Sequence, residues 1–456
     1  MEYIVRFAQH HYSFRQPELE AVAELVGVDL EIISYSDYSP YCIVKLKDDA
    51  AARALVSRCI LAQCVIALWG EGNNYEELHA DIKRRNCWPG YQNDPFAFKL
   101  ACFAGQRSQP EWSEIIASFK YMDFKGPVQL KNPDANKFYV MEEWVQDVET
   151  STIGTARGEV PRKIYMGRFI VESARSAVDK LDLKKRKYIS TTSMDAELSL
   201  VTANMALAAP GKLFFDPFVG TGSFLVAASY FGALTFGSDI DPRSFRGKDT
   251  ERKQMALMKN YEQYGIVSQF VDAFTSDLTN TPLRDCYFLD GIVCDPPYGV
   301  REGLRVLGTR NGKIIEPTMI DGVEAHYRPG YIPPKRPYGF EAIQKDILDF
   351  AARSLVPNGR LAMWMPCTSS EAVDFPVPMH PNLELICVSE QPFSSWSRRL
   401  MTYRRLPEGE VSDISSGRIK SDDDSGVNAD ELNEFRRRYF TRHLDKLKNA
   451  EESKSG

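Results

Sequence analysis

The sequence predicts an α/β protein whose larger part is a Rossmann-like, doubly wound parallel sheet. Three observations predict it. Short apolar runs alternate with helical patterns through the middle of the chain, the arrangement that builds parallel sheets. Four of these runs end in an acidic residue: Asp216, Asp239, Asp272 and Asp295. A glycine-rich turn follows the first of them. Acids at successive strand ends gather along the carboxyl edge of a sheet, where folds of this kind bind their ligands.

Length and composition leave room for more than that sheet. At 456 residues, two domains and a tail are expected. Hydrophobic residues make up 43% and charged residues 26%, the balance of a globular protein with an ample core. The longest apolar stretch, at 59–69, is too short to span a bilayer. Met1-Glu2-Tyr3-Ile4-Val5-Arg6 alternates like a strand and lacks a signal peptide's layout. The nine cysteines are scattered without a C-x-x-C pair, which reads as reduced core thiols in a cytoplasmic protein. The six histidines show no metal spacing, so no metal is expected. A net charge of −6 argues against broad, nonspecific nucleic-acid binding but leaves room for a local basic path.

Residues 1–150 read as a separate α/β unit. A strand over 3–7 leads to Pro17-Glu18, where proline in a first turn followed by an acid signals a helix start. Leu19, Ala21, Val22, Leu25 and Val26 keep one face of that helix apolar. A strand at 41–46, a helix at 51–61, a strand at 96–103, a helix at 112–119 and a strand at 137–142 follow. The unit has no catalytic constellation, so its expected job is to hold substrate. The polar stretch 151–165 reads as a linker, and a strand beginning at Lys163 opens the second domain, 166–406.

In that domain Lys184-Lys185-Arg186-Lys187 is a basic run open to nucleic-acid phosphate. Thr192 or Ser193 is expected to cap a helix running through Ala209, whose first amides could meet a ligand carboxylate. The run 212–215 reaches Asp216, then Pro217-Phe218-Val219-Gly220-Thr221-Gly222, then a buried helix from Phe224. Gly220 and Gly222 allow a tight turn and close approach to a ligand. The spacing is not G-x-G-x-x-G and no P-loop lysine follows, so a pyrophosphate cradle is not favoured. An acid at this strand tip suits a cationic or donor ligand. The strand 233–238 ends in Asp239, 23 positions after Asp216, where a Rossmann-like unit puts the acid for ribose hydroxyls. The strand 266–271 ends in Asp272-Ala273, where a side chain could meet an adenine amino group.

The buried run 289–294 ends in Asp295-Pro296-Pro297-Tyr298-Gly299. Each proline keeps the residue before it extended and has no N–H of its own. A carboxylate and a carbonyl side by side then match the two hydrogens of one amino group, and an aromatic ring beside them can stack on a base. Methylation of an exocyclic amine on a nucleobase needs this arrangement. After Gly299 comes an excursion of about forty residues before the next helix at 340–355, a length that is usually functional. Arg301, Arg305, Arg310, His326, Tyr327, Arg328, Tyr331, Lys335, Arg336 and Tyr338 interleave cations and rings there, as an extruded nucleotide and its phosphates require. Strands at 360–365, 383–389 and 400–404 would complete the sheet. From Pro407 to 456 the composition is that of a polar tail, with Leu432, Phe435, Tyr439, Leu444 and Leu447 able to line a final basic helix.

The whole pattern resembles class I S-adenosylmethionine-dependent methyltransferases of the amino-methylating kind. The resemblance implies that Asp216, Pro217, Phe218, Gly220, Thr221 and Gly222 hold the cofactor's methionine end with Thr192 and Ser193. Asp239 would take its ribose, Asp272 and Ala273 its adenine, and Asp295, Pro296, Pro297 and Tyr298 the target amine.

More narrowly, Lys187-Tyr188-Ile189-Ser190-Thr191-Thr192-Ser193-Met194-Asp195-Ala196-Glu197-Leu198, Asp216-Pro217-Phe218-Val219-Gly220-Thr221-Gly222-Ser223, Tyr298-Gly299-Val300-Arg301-Glu302 and Leu130-Lys131-Asn132-Pro133 resemble the eukaryotic tRNA guanosine-N2-methyltransferases acting at position 10. Ser190 stands where that pattern has glycine. The resemblance covers roughly 1–405 and implies a ferredoxin-like part plus a THUMP RNA-binding domain ahead of the methyltransferase domain. It implies tRNA as substrate, with Lys184, Lys185, Arg186, Lys187, Arg301 and Arg305 as candidate contacts, and a small zinc-binding activator subunit as partner. Two rival classes share some of these features, a DNA adenine-N6 methyltransferase and a catalytically inactive RNA-binding scaffold. The THUMP-like first domain argues against the former and the intact acids against the latter.

Overall fold

The structure, a computed structural model, describes residues 1–144, 160–247, 255–299, 304–308, 319–328, 334–368, 377–393, 396–412 and Phe435. The chain divides into two units, Met1–Ala177 and Val178–Gly456.

The first unit is a seven-stranded sheet with helices. Its elements are β1 (Glu2–Phe7), α1 (Tyr12–Val26), β2 (Glu31–Ser34), β3 (Tyr41–Lys45), α2 (Asp49–Val56), β4 (Ala62–Gly72), α3 (Tyr75–Arg85), β5 (Phe96–Phe103), α4 (Gln109–Ser118), β6 (Asn136–Glu143) and β7 (Lys163–Glu172). The strand order is β2-β3-β1-β4-β7-β6-β5. Only β5 and β6 run parallel; the other neighbours are antiparallel. The apolar stretch at 59–69 is no membrane span: it feeds β4, whose Val65, Ile66, Ala67 and Leu68 are buried.

Two expectations change here. The strand beginning at Lys163 does not open the second domain. As β7 it pairs with β4 on one side and β6 on the other, joining the two halves of the first sheet. Ile164, Tyr165, Met166 and Ile170 bury their side chains there, so the expected boundary near 150 falls inside the first unit. Most of the expected linker, 151–159 of 151–165, lies outside the described residues. The helix α1 also begins five residues before Pro17, which sits inside it. Buried Phe14 anchors its first turn, and the guanidinium of Arg15 donates to the carbonyls of Ala8 and Ser39. Tertiary contacts thus override the proline signal.

The short helix α5 (Ser176–Leu181) spans the division between the units. The second unit then runs α6 (Ala196–Met205), β8 (Leu213–Asp216), α7 (Ser223–Tyr230), β9 (Leu234–Asp239), α8 (Arg243–Arg246), α9 (Met258–Tyr264), β10 (Phe270–Thr275) and β11 (Leu289–Cys294). After β11 come β12 (Arg305–Leu307), β13 (Met319–Ile320), β14 (Val323–Glu324), β15 (Lys335–Pro337), α10 (Phe340–Ser354), β16 (Leu355–Thr368), β17 (Leu383–Pro392) and β18 (Trp396–Arg405).

Its sheet has the order β10-β9-β8-β11-β16-β18-β17. The first five strands are parallel, and β18 runs antiparallel between β16 and β17. Phe215, Leu289, Ile292, Leu361 and Met363 pack with Ile347, Phe350 and Ala351 of α10 in one core. Every residue of α7 from Ser223 to Ser229 is buried, as expected of a helix covering a parallel sheet. Gly291 in β11 is required because a Cβ there would stand 2.3 Å from the Phe214 ring of β8. That close approach sets β8 and β11 side by side, and the functional strand ends with them.

Candidate active site

The strand order reverses direction between β8 and β11, so the connections leaving them diverge and open a crevice at their carboxyl ends. Asp216 closes β8 and Asp295 follows β11. Asp216 is 1% exposed and accepts the Phe218 amide at 2.9 Å. Burial pushes its carboxyl well above the usual range, and the charges of Asp239 and Asp295 add to the effect. Such a site is short of positive charge.

The turn after Asp216 is built for close approach. Gly222 has φ 79, and a Cβ there would meet Leu257 Cδ1 at 2.3 Å. The Asp239 carboxylate ties this turn down, accepting the Gly220 amide at 3.0 Å and the Asp241 amide at 2.9 Å. Burial raises the Asp239 carboxyl too, although those amides pull it back. Ser193 Oγ and Thr221 Oγ1 are 2.6 Å apart, which brings the loop before α6 onto the same turn.

Ser193 thus meets the glycine turn, but neither it nor Thr192 caps the helix. The cap of α6 is Asp195, whose carboxylate accepts the Leu198 amide at 2.9 Å. The helix starts at Ala196 because the carboxylate of Asp195 satisfies its first free amide. Thr192 Oγ1 instead lies 3.1 Å from Ser190 Oγ.

Arg186 is the clearest correction to the basic run. It is 6% exposed and donates to Ser223 Oγ at 2.9 Å, behind the glycine turn, so it cannot meet phosphate at the surface. Lys184, Lys185 and Lys187 remain exposed, as does Arg305 on β12. Arg301 lies outside the described residues, as do Arg310 and Tyr331.

The third strand also differs. Residues 267–269 form a 3-10 turn, and β10 runs from Phe270 to Thr275. Asp272 and Ala273 thus sit in mid-strand, Asp272 exposed and Ala273 buried. The acid at the end of β10 is Asp277, 4% exposed. It accepts the amides of Thr279 at 3.0 Å and of Leu307 at 2.7 Å. The strand runs past its expected end because its ladder with β9 continues to Thr275, although apolar character fades after Val271. The Ser276-Asp277-Leu278-Thr279 turn chemistry was the available signal.

Asp295 to Tyr298 follow directly on the end of β11. Asp295 Oδ1 is buried with no hydrogen-bond partner among the described residues. Burial pushes the Asp295 carboxyl up to about 6, while the Tyr298 hydroxyl and the Arg398 charge pull it down. An unsatisfied buried acceptor is costly and is seldom left without a use. The Tyr298 ring meets Trp396 edge-on at 6.1 Å, and Trp396 stacks on Phe393 at 4.5 Å. Phe435, the one described residue of the tail beyond 412, is buried with its ring 6.1 Å from Trp396. Trp396 and Arg398 went unread in the sequence because they reach the corner from a strand about a hundred positions further on, and no local pattern marks them.

The excursion after Gly299 is not structureless. Arg305–Leu307 pairs with Lys335–Pro337, and Met319–Ile320 with Val323–Glu324. The first ribbon is anchored on Asp277 through Leu307.

Sheet order, glycine turn, strand-end acids and the proline-stiffened corner together define a class I methyltransferase domain, here preceded by an α/β ferredoxin-like and THUMP part. Residues 1–175 match a family described as the Tmrp11 THUMP N-terminal domain, and residues 184–307 match the RMKL-like methyltransferase domain. The tRNA (guanine(10)-N(2))-methyltransferase of Saccharomyces cerevisiae is 40% identical over 448 residues, covering 96% of this chain and 99% of its own. That of Schizosaccharomyces pombe is 36% identical, covering 90% and 91%. The human tRNA (guanine(10)-N(2))-methyltransferase TRMT11 is 32% identical, covering 99% and 97%. Among solved structures, TrmN from Thermus thermophilus is 17% identical with a TM-score of 0.43, covering 89% of this chain and 100% of that one. The chain belongs to the tRNA (guanine(10)-N2)-methyltransferase family.

Proposed function

We infer that this chain is the catalytic subunit of an S-adenosylmethionine-dependent enzyme that methylates the exocyclic N2 of guanosine 10 in tRNA. The observation that carries the reading is Asp295 Oδ1, a buried acceptor left open at the end of β11 beside Pro296 and Tyr298.

The residues present fit the cofactor. Asp216, buried, and Asp239, half-buried, are carboxylates raised by desolvation, suited to the positive charges and hydroxyls of that molecule. Ser193, Thr221 and the turn through Gly222 would receive its methionine end. Asp239 keeps lone pairs free for ribose hydroxyls beyond its two amides. Asp277, and not Asp272, would face the adenine. When bound, the cofactor supplies an electrophilic methyl group.

The guanine amino group is a poor nucleophile because its lone pair is delocalised into the ring. The Asp295 carboxylate and the Pro296 carbonyl accept its two hydrogens, which turns the nitrogen towards a pyramidal geometry. Tyr298, braced by Trp396, offers a face for the base. Positioning of this sort can lower a barrier by roughly 7 to 11 kcal/mol. Asp295 need not be a strong base, since the methylated amine loses its proton readily.

The first unit would grip the tRNA by shape, since an A-form groove hides its base edges. Lys83 and Arg84, exposed in the last turn of α3, would supply cations for that purpose, whereas Arg85 is held by Glu2 and Asp81. A small zinc-binding activator subunit is the partner the resemblance implies. Among the described residues β10 is an edge strand, with Val271 57% exposed, and could take an added strand from such a partner. No helix of the described residues is long and apolar enough to cross a membrane. A cytoplasmic setting suits the free cysteines.

Incubation with labelled cofactor and either tRNA or DNA, followed by mapping of the modified nucleotide, tests the reading. Label at N2 of guanosine 10 is expected, and none with Asp295→Asn. Label in DNA adenine, or full turnover by Asp295→Asn, would overturn it.

A further inference from the structure

Arg398 lies on β18, and the register of the sheet carries it to the Asp295 corner. Cys294 of β11 stands level with Met363 of β16, so Asp295 follows level with Trp364. The Arg398 guanidinium sits over the Trp364 ring, 5.0 Å from its centroid, and 5.5 Å from that of Phe393. Trp364 is itself fixed, because its Nε1 donates to Thr202 Oγ1 of α6 at 3.1 Å. Arg398 Nε donates to Gln391 Oε1 at 2.5 Å, and Nη2 lies 3.7 Å from Asp195 Oδ2. Asp195 in turn caps α6, behind the loop that touches the glycine turn through Ser193. Arg398 is thus held on two ring faces and by two side chains, and its side chain is 16% exposed.

We propose that Arg398 is a positioning residue for methyl transfer, holding the Asp295 carboxylate and the Tyr298 ring in register with the cofactor side of the crevice. This deepens the proposed function and rests on it. A planar guanidinium can stack on rings and still direct charge sideways, which an ammonium does less well. The charged groups facing Asp295 are few. Asp216 at the end of β8 opposes its ionisation, as does burial; Tyr298 on its own turn and Arg398 from β18 favour it. Cys294, behind it on β11, is a buried thiol held far above its usual range and stays neutral. Among the described residues Arg398 acts as a cation on the carboxylate from another strand, and its charge also acts on the Tyr298 hydroxyl.

The full-length chain in its active form is compared with Arg398→Gln, Arg398→Lys and Asp295→Asn. Single-turnover methylation of tRNA is followed from about pH 5.5 to about 8.5, and cofactor affinity by calorimetry. In Arg398→Gln the acid limb of the profile is expected to move up by about one unit, so the rate below neutrality falls roughly tenfold and the high-pH rates converge. Cofactor affinity should stay within about a factor of two, and Arg398→Lys should restore much of the limb. Should Arg398→Gln fail to fold, Arg398→Met keeps the stem packed between the two rings while deleting the charge, and takes its place. An acid limb that does not move when the charge is deleted overturns the proposal. So does a Lys variant no better than Gln at any pH. If Asp295→Asn remains active, the proposed function itself fails; if it is dead while the Arg398 limb stays put, only this inference fails.

Discussion

The Asp239 carboxylate accepts the Gly220 amide at 3.0 Å, so the acid that ends β9 also holds the glycine turn that follows β8. One side chain thus shapes the turn and, in the proposed function, would also offer lone pairs to ribose.

Asp239→Ala is expected to weaken cofactor binding by about 1 to 3 kcal/mol, the cost of charged hydrogen bonds. Because the turn loses its tether, the thermal midpoint should drop as well. Calorimetry and a melting curve measure both. RNA affinity should not change, and unchanged cofactor affinity would remove Asp239 from the site.

Asp277→Ala and Asp272→Ala separate the two candidates for the adenine. Asp272 is exposed in mid-strand, so its loss should leave cofactor affinity within error. Loss of Asp277 should weaken affinity roughly tenfold or more and free the Leu307 amide, loosening the ribbon that starts at Arg305. Protease cleavage between β12 and β15 should then quicken. The reverse ranking of the two variants would restore Asp272.

Asp295 sets activity against stability. Its carboxyl is raised to about 6 in the folded chain from an ordinary 3.8. Folding therefore favours the protonated form. The penalty for ionising it is absent below the unfolded value, grows as pH rises between the two values, and is complete above about 6. Its size is about 2 to 3 kcal/mol. Activity should climb over the window in which stability declines. Asp295→Asn should abolish turnover yet raise denaturant stability at neutral pH, with the gain shrinking towards pH 4. A variant less stable than the parent at neutral pH would contradict this.

The basic run should divide in two under salt. Replacing Lys184, Lys185, Lys187 and Arg305 by Gln should flatten the dependence of tRNA affinity on salt, since phosphate contacts release counterions. Arg186→Gln should leave that slope alone. It should instead lower stability by about 1 to 3 kcal/mol and impair cofactor binding, because its partner is Ser223 beneath the glycine turn. Filter binding across a salt series, with a melt for each variant, distinguishes the two groups.

The sequence by itself determined whatever depends on local chemistry. Strand ends at Asp216, Asp239 and Asp295 were legible because an apolar run meeting an acid and a glycine or proline turn leaves the backbone few options. The corner at Asp295 to Tyr298 was legible for the same reason. Tertiary structure alone decided the features that depend on residues distant along the chain. β7 belongs to the first sheet because its apolar face is buried between β4 and β6, not because of anything around Lys163. Arg186 faces inward because a buried serine accepts its guanidinium, whereas its neighbours in the basic run remain in water. β10 continues past Asp272 because its ladder with β9 runs on to Thr275, opposite Asp239. Arg398 and Trp396 reach the Asp295 corner through the pairing of β16 with β18. Pairing and burial are settled by the whole chain at once, so a window of neighbours cannot report them.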